Sequence, residues 1–305
     1  MRSCPLKKDH KRFPLFILLL LGLMVWMTAC QTVEGSTSTA LPTATKTPTQ
    51  SITPPPTLAP AAVEETEHIC QEHGEIREFS LESNLLNDTL PFNIYFPPCY
   101  DAASTSAYPV IYLLHGQEQS PDLWSALGIQ QIADELILDK GRKPFLVVMP
   151  AELFPFRPVQ NNQFPQAVLQ ELLPWVEDNL PACTQRTCRA IGGISRGGAW
   201  AVRLALINPD VFASLGAHST PLSEDDLEEL PDWIDAIPPE ELPRIYIDVG
   251  STDPGVKASY AFDQTLNSLG VPHIWNMNTG RHNEAYWEAQ LPSYLEWYTI
   301  SWLED

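Results

Sequence analysis

Basic residues are scarce in this sequence: 18 of the 305 residues are Lys or Arg, against 38 that are Asp or Glu, and the formal net charge is −20. A surface this acidic repels nucleic acid and anionic lipid headgroups, so we expect no nucleic-acid partner. The H-E-x-x-H pattern is absent, and no cysteine spacing is that of a metal site. We therefore predict a function that needs neither a metal nor another cofactor.

The apolar run near the N-terminus, Phe13–Trp26, is shorter than a typical transmembrane helix. Basic residues precede it, and Met27-Thr-Ala-Cys30 follows it. This order is typical of a secretory signal, which we place at residues 1–29. A cysteine directly after small residues resembles a bacterial lipobox, and that resemblance implies cleavage and a diacylglyceryl group on Cys30. The alternatives are an ordinary secretory signal and an uncleaved anchor; in each case the protein is exported.

Residues 30–67 have almost no apolar periodicity and are rich in Thr, Ser and Pro. Such a segment cannot build a core, so we predict a disordered, extended spacer between the membrane and the folded domain. Residues 68–305 remain, and that length suits one α/β domain with a large buried core.

Four cysteines fall in the predicted domain: Cys70, Cys99, Cys183 and Cys188. Four cysteines allow three pairings. Cys183 and Cys188 flank a short polar turn, where local pairing is easy, and this leaves Cys70 to pair with Cys99. The alternative is four free thiols, which is uncommon in an exported protein.

Apolar runs typical of strands alternate with segments of helical spacing through most of the domain. Two runs, Glu75–Leu81 and Leu90–Phe96, indicate a leading hairpin. Further strands are predicted at 109–114, 145–149, 189–194, 212–217, 245–249 and 273–277, and helices at 129–139, 167–180, 198–207, 256–269 and 284–302. We expect Pro174 to kink its helix. The alternation predicts an α/β fold with a mostly parallel central sheet and helices on both faces, whose ligand site lies at the carboxyl ends of the strands.

One strand-to-helix junction carries the pattern G-x-S-x-G, as Gly193-Ile-Ser-Arg-Gly197. A strand that turns abruptly into a helix needs small residues on both sides of the turning residue. The turn would expose the Ser195 hydroxyl near a helix N-terminus, where free N–H groups can stabilise an oxyanion. The motif alone is short enough to occur by chance, but the apolar strand before it and the helical run after it favour a nucleophile.

Three histidines are candidates for the base that would activate Ser195. His282 lies in a loop between the last strand and the last helix, from which it can reach the carboxyl edge of the sheet. His218 ends another strand and is the second choice. For His115, which follows the strand ending at Leu114, we prefer a structural role in bracing its loop.

The acidic partner of His282 is expected between the serine and the histidine in the chain. Asp253 lies in the loop beyond a strand end and can point at His282, whereas Asp248 is still within that strand. We therefore favour Asp253. Either aspartate could instead be a turn residue, because Asp253 precedes a proline.

From Glu75 onward, the chain resembles the esterase D/feruloyl esterase-type branch of the α/β-hydrolase superfamily. The segments that carry the resemblance are Tyr112-Leu-Leu-His-Gly116 with Trp124, Glu171-Leu-Leu-Pro-Trp175, Ile191-Gly-Gly-Ile-Ser-Arg-Gly-Gly198, Asp248-Val-Gly-Ser-Thr-Asp253, and Gly280-Arg-His282 with Trp287. The resemblance implies the α/β-hydrolase fold, with Ser195 as nucleophile, His282 as base and Asp253 as acid.

In α/β-hydrolases, the loop after the third strand and the residue after the nucleophile supply the oxyanion N–H groups. These residues would be Gln117 and Arg196 here. Two segments could shape the pocket: Leu153–Pro158, which is rich in Phe and Pro, and 222–242, which is acidic. For 222–242 a small cap and a solvated surface excursion remain equal alternatives.

The sequence therefore predicts an exported serine carboxylesterase, anchored at the cell surface through Cys30, that works through an acyl-enzyme. From the resemblance, feruloyl or acetyl esters on polysaccharide are the expected substrates. Two alternatives stay open: an acyltransferase of the mycolyl-transfer type, and a non-enzymatic surface binding module on a hydrolase scaffold.

Overall fold

The computed structural model describes residues 73–303. The predicted signal (1–29) and spacer (30–67) lie outside the described residues, as do Cys30 and Cys70. Lipidation of Cys30 and the pairing of Cys70 with Cys99 therefore stay predictions. Within 73–303, no helix is long and apolar enough to cross a membrane, and no group of three or more His, Cys, Asp or Glu side chains could hold a metal ion.

Eight strands form one sheet in the order β1-β2-β4-β3-β5-β6-β7-β8. The strands are β1 Glu75–Ser83, β2 Asp88–Phe96, β3 Val110–Leu114, β4 Leu146–Pro150, β5 Arg189–Ile194, β6 Ser214–His218, β7 Arg244–Gly250 and β8 Ile274–Asn278. The leading hairpin β1–β2 is antiparallel and joins β4 antiparallel, and all the other neighbours are parallel. The predicted fold class is confirmed.

Eight α-helices connect these strands within the described residues: α1 Leu123–Ala126, α2 Ile129–Leu138, α3 Phe164–Ala167, α4 Leu173–Asn179, α5 Arg196–Ile207, α6 Glu224–Asp235, α7 Val256–Ser268 and α8 Glu284–Thr299. The helix predicted over 167–180 is instead two short helices separated by a π-helical turn, Val168–Leu172. Pro174 lies directly after the π-helical turn, where the absence of an N–H on proline interrupts the regular i→i−4 hydrogen bonding.

The core lies on both faces of the sheet. Successive residues of β3 point to opposite sides, so Tyr112 belongs to the same buried cluster as Trp200 and Phe262, whereas Ile111 belongs to the cluster of Trp287. Helices α5 and α7 thus cover one face, and α2 and α8 cover the other. All five residues of β3 are buried, as expected for a strand enclosed on both faces.

Two connecting segments have a defined local structure. Cys183 and Cys188 form a disulfide just before β5, as the sequence predicts. Residues 224–235 of the acidic stretch form α6, whose first turn is stabilised by a capping box between Ser223 and Asp226. Helix α6 packs against α5 and α7, so this stretch is part of the folded body.

Candidate active site

Ser195 lies in the sharp turn between β5 and α5, with φ of 57° and ψ of −120°. Positive φ is rare for any residue but glycine, so this backbone is strained. The flanking glycines make the turn possible: a Cβ on Gly193 would lie 2.4 Å from the Gly197 carbonyl carbon, and one on Gly197 would lie 2.4 Å from the Leu114 oxygen. The strand and helix therefore approach too closely for any larger residue.

Three predicted side chains meet above the carboxyl ends of β5, β7 and β8. The Ser195 Oγ lies 2.9 Å from His282 Nε2, and His282 Nδ1 lies 2.7 Å from Asp253 Oδ2. The sheet order explains this meeting, because β5, β6, β7 and β8 are consecutive neighbours whose carboxyl ends share one edge. Asp253, and not Asp248, is the aspartate that contacts His282.

The environment of Asp253 keeps its side chain ionised. The carboxyl group is buried, which by itself raises its pKa, but hydrogen bonds from His282 and from the Gly255 N–H outweigh burial and hold the pKa of Asp253 below its usual value. An ionised carboxylate beside Nδ1 fixes that nitrogen as the protonated one. Nε2 is then left free to accept a proton from Ser195.

His282 is also oriented from its other side. The ring of Trp287 packs edge-on against the His282 ring, with the ring centres 5.2 Å apart. Trp287 is in turn held by a hydrogen bond of 3.1 Å from its Nε1 to the Ser219 Oγ. The loop that carries His282 ends at Asn283, whose side chain caps α8 by accepting from the Tyr286 N–H.

The two predicted oxyanion residues lie beside Ser195. Gln117, Arg196 and Ser195 all line one cavity of about 200 Å³. The loop before Gln117 passes next to the serine, since a Cβ on Gly116 would lie at ordinary contact distance, 3.4 Å, from the Ser195 Cβ. Arg196 is the first residue of α5, where backbone N–H groups are free of intrahelical partners.

Comparison with known proteins shows the family of this chain. The family model described as "Putative esterase" matches residues 83–298. This chain belongs to that esterase family. An endo-1,4-beta-xylanase/feruloyl esterase of Xylanibacter ruminicola is 30% identical over 157 residues, which cover 48% of this chain and 22% of the relative. An esterase of Mycobacterium tuberculosis is 32% identical over 141 residues, or 43% of this chain and 29% of the relative. The matched part thus spans less than a third of either relative.

Solved structures show the same fold. A ferulic acid esterase aligns with a TM-score of 0.66 and 21% identity over 76% of this chain and 99% of that one. A mutant feruloyl esterase module from Clostridium thermocellum, complexed with sinapinate, aligns with a TM-score of 0.64 and 20% identity over 77% of this chain and 91% of that one. The α/β-hydrolase fold that the sequence resemblance implied is therefore confirmed.

A buried glutamate, which no sequence motif marks, connects the two sides of the predicted oxyanion site. Glu152 follows β4 and accepts hydrogen bonds from Arg196, at 3.0 and 2.8 Å from Nε to its two oxygens. The Glu152 N–H donates to His115 Nε2 at 2.9 Å, and His115 Nδ1 contacts the Gly116 oxygen at 2.7 Å. Burial lowers the pKa of His115, consistent with a neutral ring that accepts at one nitrogen and donates at the other.

This arrangement supports the structural role predicted for His115. Its ring fixes the loop before Gln117, while the carboxylate of Glu152 fixes the Arg196 side chain. No sequence pattern marks Glu152, which is 44 residues from Arg196 in the chain. The only signal was its place directly after a buried strand, at the edge where site residues gather.

His218, the second candidate base, lies away from the Ser195 hydroxyl in a fully buried network. Its Nδ1 lies 2.7 Å from Asp248 Oδ1, and its Nε2 lies 3.0 Å from the Tyr298 hydroxyl. The other Asp248 oxygen accepts from Tyr286 at 2.8 Å and from Tyr294 at 2.6 Å. Burial raises the pKa of Tyr294 well above its ordinary value, so its hydroxyl remains a donor.

The remaining predictions concern the walls of the cavity. Val159, directly after the Phe- and Pro-rich stretch Leu153–Pro158, lines the cavity, whereas Phe156 is exposed to solvent. Ser223 and Asp226, at the start of α6, also line the cavity. The acidic stretch thus contributes a wall next to Ser195.

Proposed function

We propose that this chain is a serine carboxylesterase in which Ser195 is the nucleophile. The observation that carries the proposal is the continuous hydrogen-bonded row from Ser195 through His282 to Asp253, at 2.9 and 2.7 Å. The strained turn holds the hydroxyl at the carboxyl edge of the sheet, where α/β enzymes bind their ligands. Membership of the esterase family supports the same reaction class.

In the proposed reaction, the Ser195 oxygen attacks the ester carbonyl carbon while His282 Nε2 takes the hydroxyl proton. The tetrahedral oxyanion is stabilised by the backbone N–H groups of Gln117 and Arg196. When the bond from carbon to the alcohol oxygen breaks, His282 returns the proton to the leaving alcohol, and an acyl-enzyme remains. Water, deprotonated by His282, then releases the carboxylic acid and restores Ser195.

Asp253 supports His282 in this reaction without exchanging a proton itself. Its depressed pKa keeps it anionic, so it stabilises the imidazolium that forms when His282 takes the serine proton. Every step uses side chains and backbone groups of this chain together with water.

For the substrate, we propose an ester between a carbohydrate hydroxyl and either an aromatic carboxylic acid or acetic acid. Two findings support this class: a relative named as a xylanase/feruloyl esterase, and a structural neighbour bound to sinapinate. Hydrolysis of hydroxycinnamoyl and acetyl esters of xylo-oligosaccharides, followed by chromatography, tests it. Turnover of unrelated aliphatic esters at the same rate as these oligosaccharide esters would argue against this substrate class. A product carrying the acyl group on an added sugar acceptor would favour acyl transfer.

Covalent labelling tests the nucleophile directly. We expect a serine-directed fluorophosphonate to add one label to the protein, located at Ser195 by peptide mass spectrometry. Ser195→Ala should abolish the label and His282→Ala should slow it strongly, whereas Ser251→Ala, a change at an exposed serine, should label like the wild type. No labelling of a folded wild type would favour a non-enzymatic binding module.

We also propose that the protein is exported and held at the cell surface by a lipid on Cys30, on the strength of the N-terminal sequence. In a bacterial host, the wild type should fractionate with membranes and carry the mass of a diacylglyceryl-modified Cys30. Cys30→Ser should lose that mass. A cytosolic, unprocessed wild type would contradict both export and anchoring.

A further inference from the structure

The cavity beside Ser195 extends along one face of α5. Ser195, Ala199 and Arg203 all line it. The spacing of four residues places Ala199 and Arg203 in one row on the helix, and Ser195 is the residue that precedes the first turn. Eight residues of helix span about 12 Å, and long helical side chains lean toward the N-terminus, so roughly 8 to 10 Å separates the Ser195 hydroxyl from the Arg203 guanidinium. Only the methyl group of Ala199 lies between them in this row.

The position of the cavity relative to His282 indicates which half of an ester it receives. Both oxyanion residues, Gln117 and Arg196, line the cavity, but His282 does not. Because His282 must protonate the leaving alcohol, the alcohol lies on the His282 side of Ser195. We therefore assign the cavity, which both oxyanion residues line and His282 does not, to the acyl group.

Arg203 is held in place but keeps free hydrogen-bond donors. Its Nη2 forms an ion pair with Asp226 of α6, and its guanidinium lies over the Trp200 ring, 5.6 Å from the ring centre. Its side chain is 17% exposed, and its Nε and Nη1 have no hydrogen-bond acceptor within residues 73–303. A fixed, partly dehydrated guanidinium with free N–H groups favours a ligand that brings an acceptor.

The charges around Arg203 indicate what kind of acceptor fits. Asp226 already balances the charge of Arg203, and Glu152 balances that of Arg196, so the cavity carries no excess positive charge for a carboxylate. Its other walls include the apolar side chains of Val159 and Pro221. An apolar acyl body that ends in a neutral oxygen acceptor matches both features.

We propose that Arg203 determines acyl specificity, by donating a hydrogen bond to a neutral oxygen at the far end of the acyl group. The preferred acyl groups have an apolar body and carry that oxygen about six bonds from the ester carbonyl carbon, the distance that the helix rise sets. This inference rests on the proposed esterase function and names a class of substrate for the same site.

The test compares two substrates of equal length, p-nitrophenyl 6-methoxyhexanoate and p-nitrophenyl octanoate, which differ by an oxygen in place of one methylene. We expect the wild type to favour the ether in kcat/KM by about tenfold, the effect of one hydrogen bond to a charged donor. The ratio of kcat/KM for the ether to kcat/KM for the octanoate is measured within each protein, so it does not depend on the fraction of enzyme that is folded. A wild-type ratio of one or less would overturn the proposal.

Two variants remove the donor. Arg203→Met keeps the length of the side chain, and Arg203→Met with Asp226→Asn also removes the buried charge that the single change leaves unpaired. In both variants the ratio should fall to one or below. Asp225→Asn is the matched control, because it changes an exposed carboxylate of α6 and leaves the ion pair of Arg203 with Asp226 intact, and its preference for the ether should persist. A double variant that keeps the wild-type ratio would overturn the proposal.

A second substrate pair tests the assignment of the cavity to the acyl half. With 6-methoxyhexyl acetate and octyl acetate the oxygen lies in the alcohol, and we expect no Arg203-dependent preference; such a preference would overturn the assignment.

Hydrolysis of p-nitrophenyl acetate that depends on Ser195, with no preference in the first pair, would overturn this inference and leave the esterase function standing. Absence of any Ser195-dependent hydrolysis would overturn both.

Discussion

At Ser195 the backbone takes a conformation that an L-residue rarely adopts, and its neighbours hold it there. The Ser195 N–H donates to the His218 oxygen at 2.9 Å, and the close approach of Gly197 to Leu114 fixes the start of α5. The hydroxyl is therefore positioned before any substrate arrives. The hydrogen-bonded partners, His282 and Asp253, lie in loops after other strands. The role of each in catalysis can therefore be tested by a single substitution that does not alter the turn at Ser195.

Asp253→Asn is expected to lower kcat by about 10⁴-fold, because an amide no longer fixes the His282 tautomer or stabilises its cation. The depressed pKa of Asp253 also adds a pH effect on stability. The ionised carboxylate stabilises the folded state at pH values above the pKa of aspartate in the unfolded chain, about 3.9. This contribution is lost as the pH falls through the lower pKa that Asp253 has in the folded state. Urea unfolding should thus show a difference between wild type and variant that shrinks at acidic pH. A difference that grows toward acidic pH would contradict this assignment.

Glu152→Gln is expected to lower kcat by about tenfold with little change in KM, less than the loss of a whole oxyanion donor. The amide keeps the shape but weakens the bonds to Arg196, whose backbone N–H then loses its fixed position. Steady-state kinetics with p-nitrophenyl acetate measure the split between kcat and KM. Glu171→Gln is the matched control, since Glu171 binds the turn after β1 at the Asn84 and Leu85 N–H groups. Equal kinetic effects of the two changes would indicate a general loss of structure.

At the scale of elements, α8 connects the site to the sheet. It begins directly after the His282 loop, and its tyrosines donate to Asp248 of β7. The sequence predicted a strand at 245–249 and a helix at 284–302, close to the observed β7 and α8. It did not predict their contact, because Asp248 and Tyr294 are 46 residues apart and meet only through packing. Pro174 indicated a distortion of its helix, but not that the distortion would be a π-helical turn.

Asp248→Asn separates this structural role from catalysis. The change leaves buried donors of His218, Tyr286 and Tyr294 without a charged acceptor, so we expect a loss of about 3 kcal/mol in the free energy of unfolding. In the folded fraction, kcat should stay within about tenfold of the wild type, because Asp248 does not contact His282. Denaturant unfolding and active-site labelling measure the two effects. A fall in kcat as large as that of Asp253→Asn, without loss of stability, would contradict this division of roles.

On the scale of the whole molecule, the sequence was sufficient for the order of the eight strands and for the three residues that meet at Ser195, whereas helices α1, α3 and α6 were not predicted. Strands with apolar residues on every position, such as β3, indicate a sheet covered on both faces. The acidic stretch 222–242 could not be assigned in advance, since its capping box and its packing on α5 depend on tertiary contacts. The size and lining of the cavity depend on the same contacts.

The disulfide between Cys183 and Cys188 stabilises the whole domain through the unfolded chain. It closes a short loop just before β5, and its removal in Cys183→Ser with Cys188→Ser should lower the unfolding free energy by about 2 kcal/mol. For a domain of this size that corresponds to a decrease of about 4 to 8 °C in Tm. Calorimetry of the two proteins measures the change. An unchanged Tm would show that the disulfide contributes nothing to stability.

Hydrolysis of p-nitrophenyl acetate by the wild type, Ser195→Ala and His282→Ala tests the assignment of Ser195 and His282 most directly. We predict turnover by the wild type and a loss of about 10⁴-fold or more in kcat for each variant, with circular dichroism unchanged. Equal turnover by Ser195→Ala would contradict the assignment of Ser195 and with it the proposed mechanism.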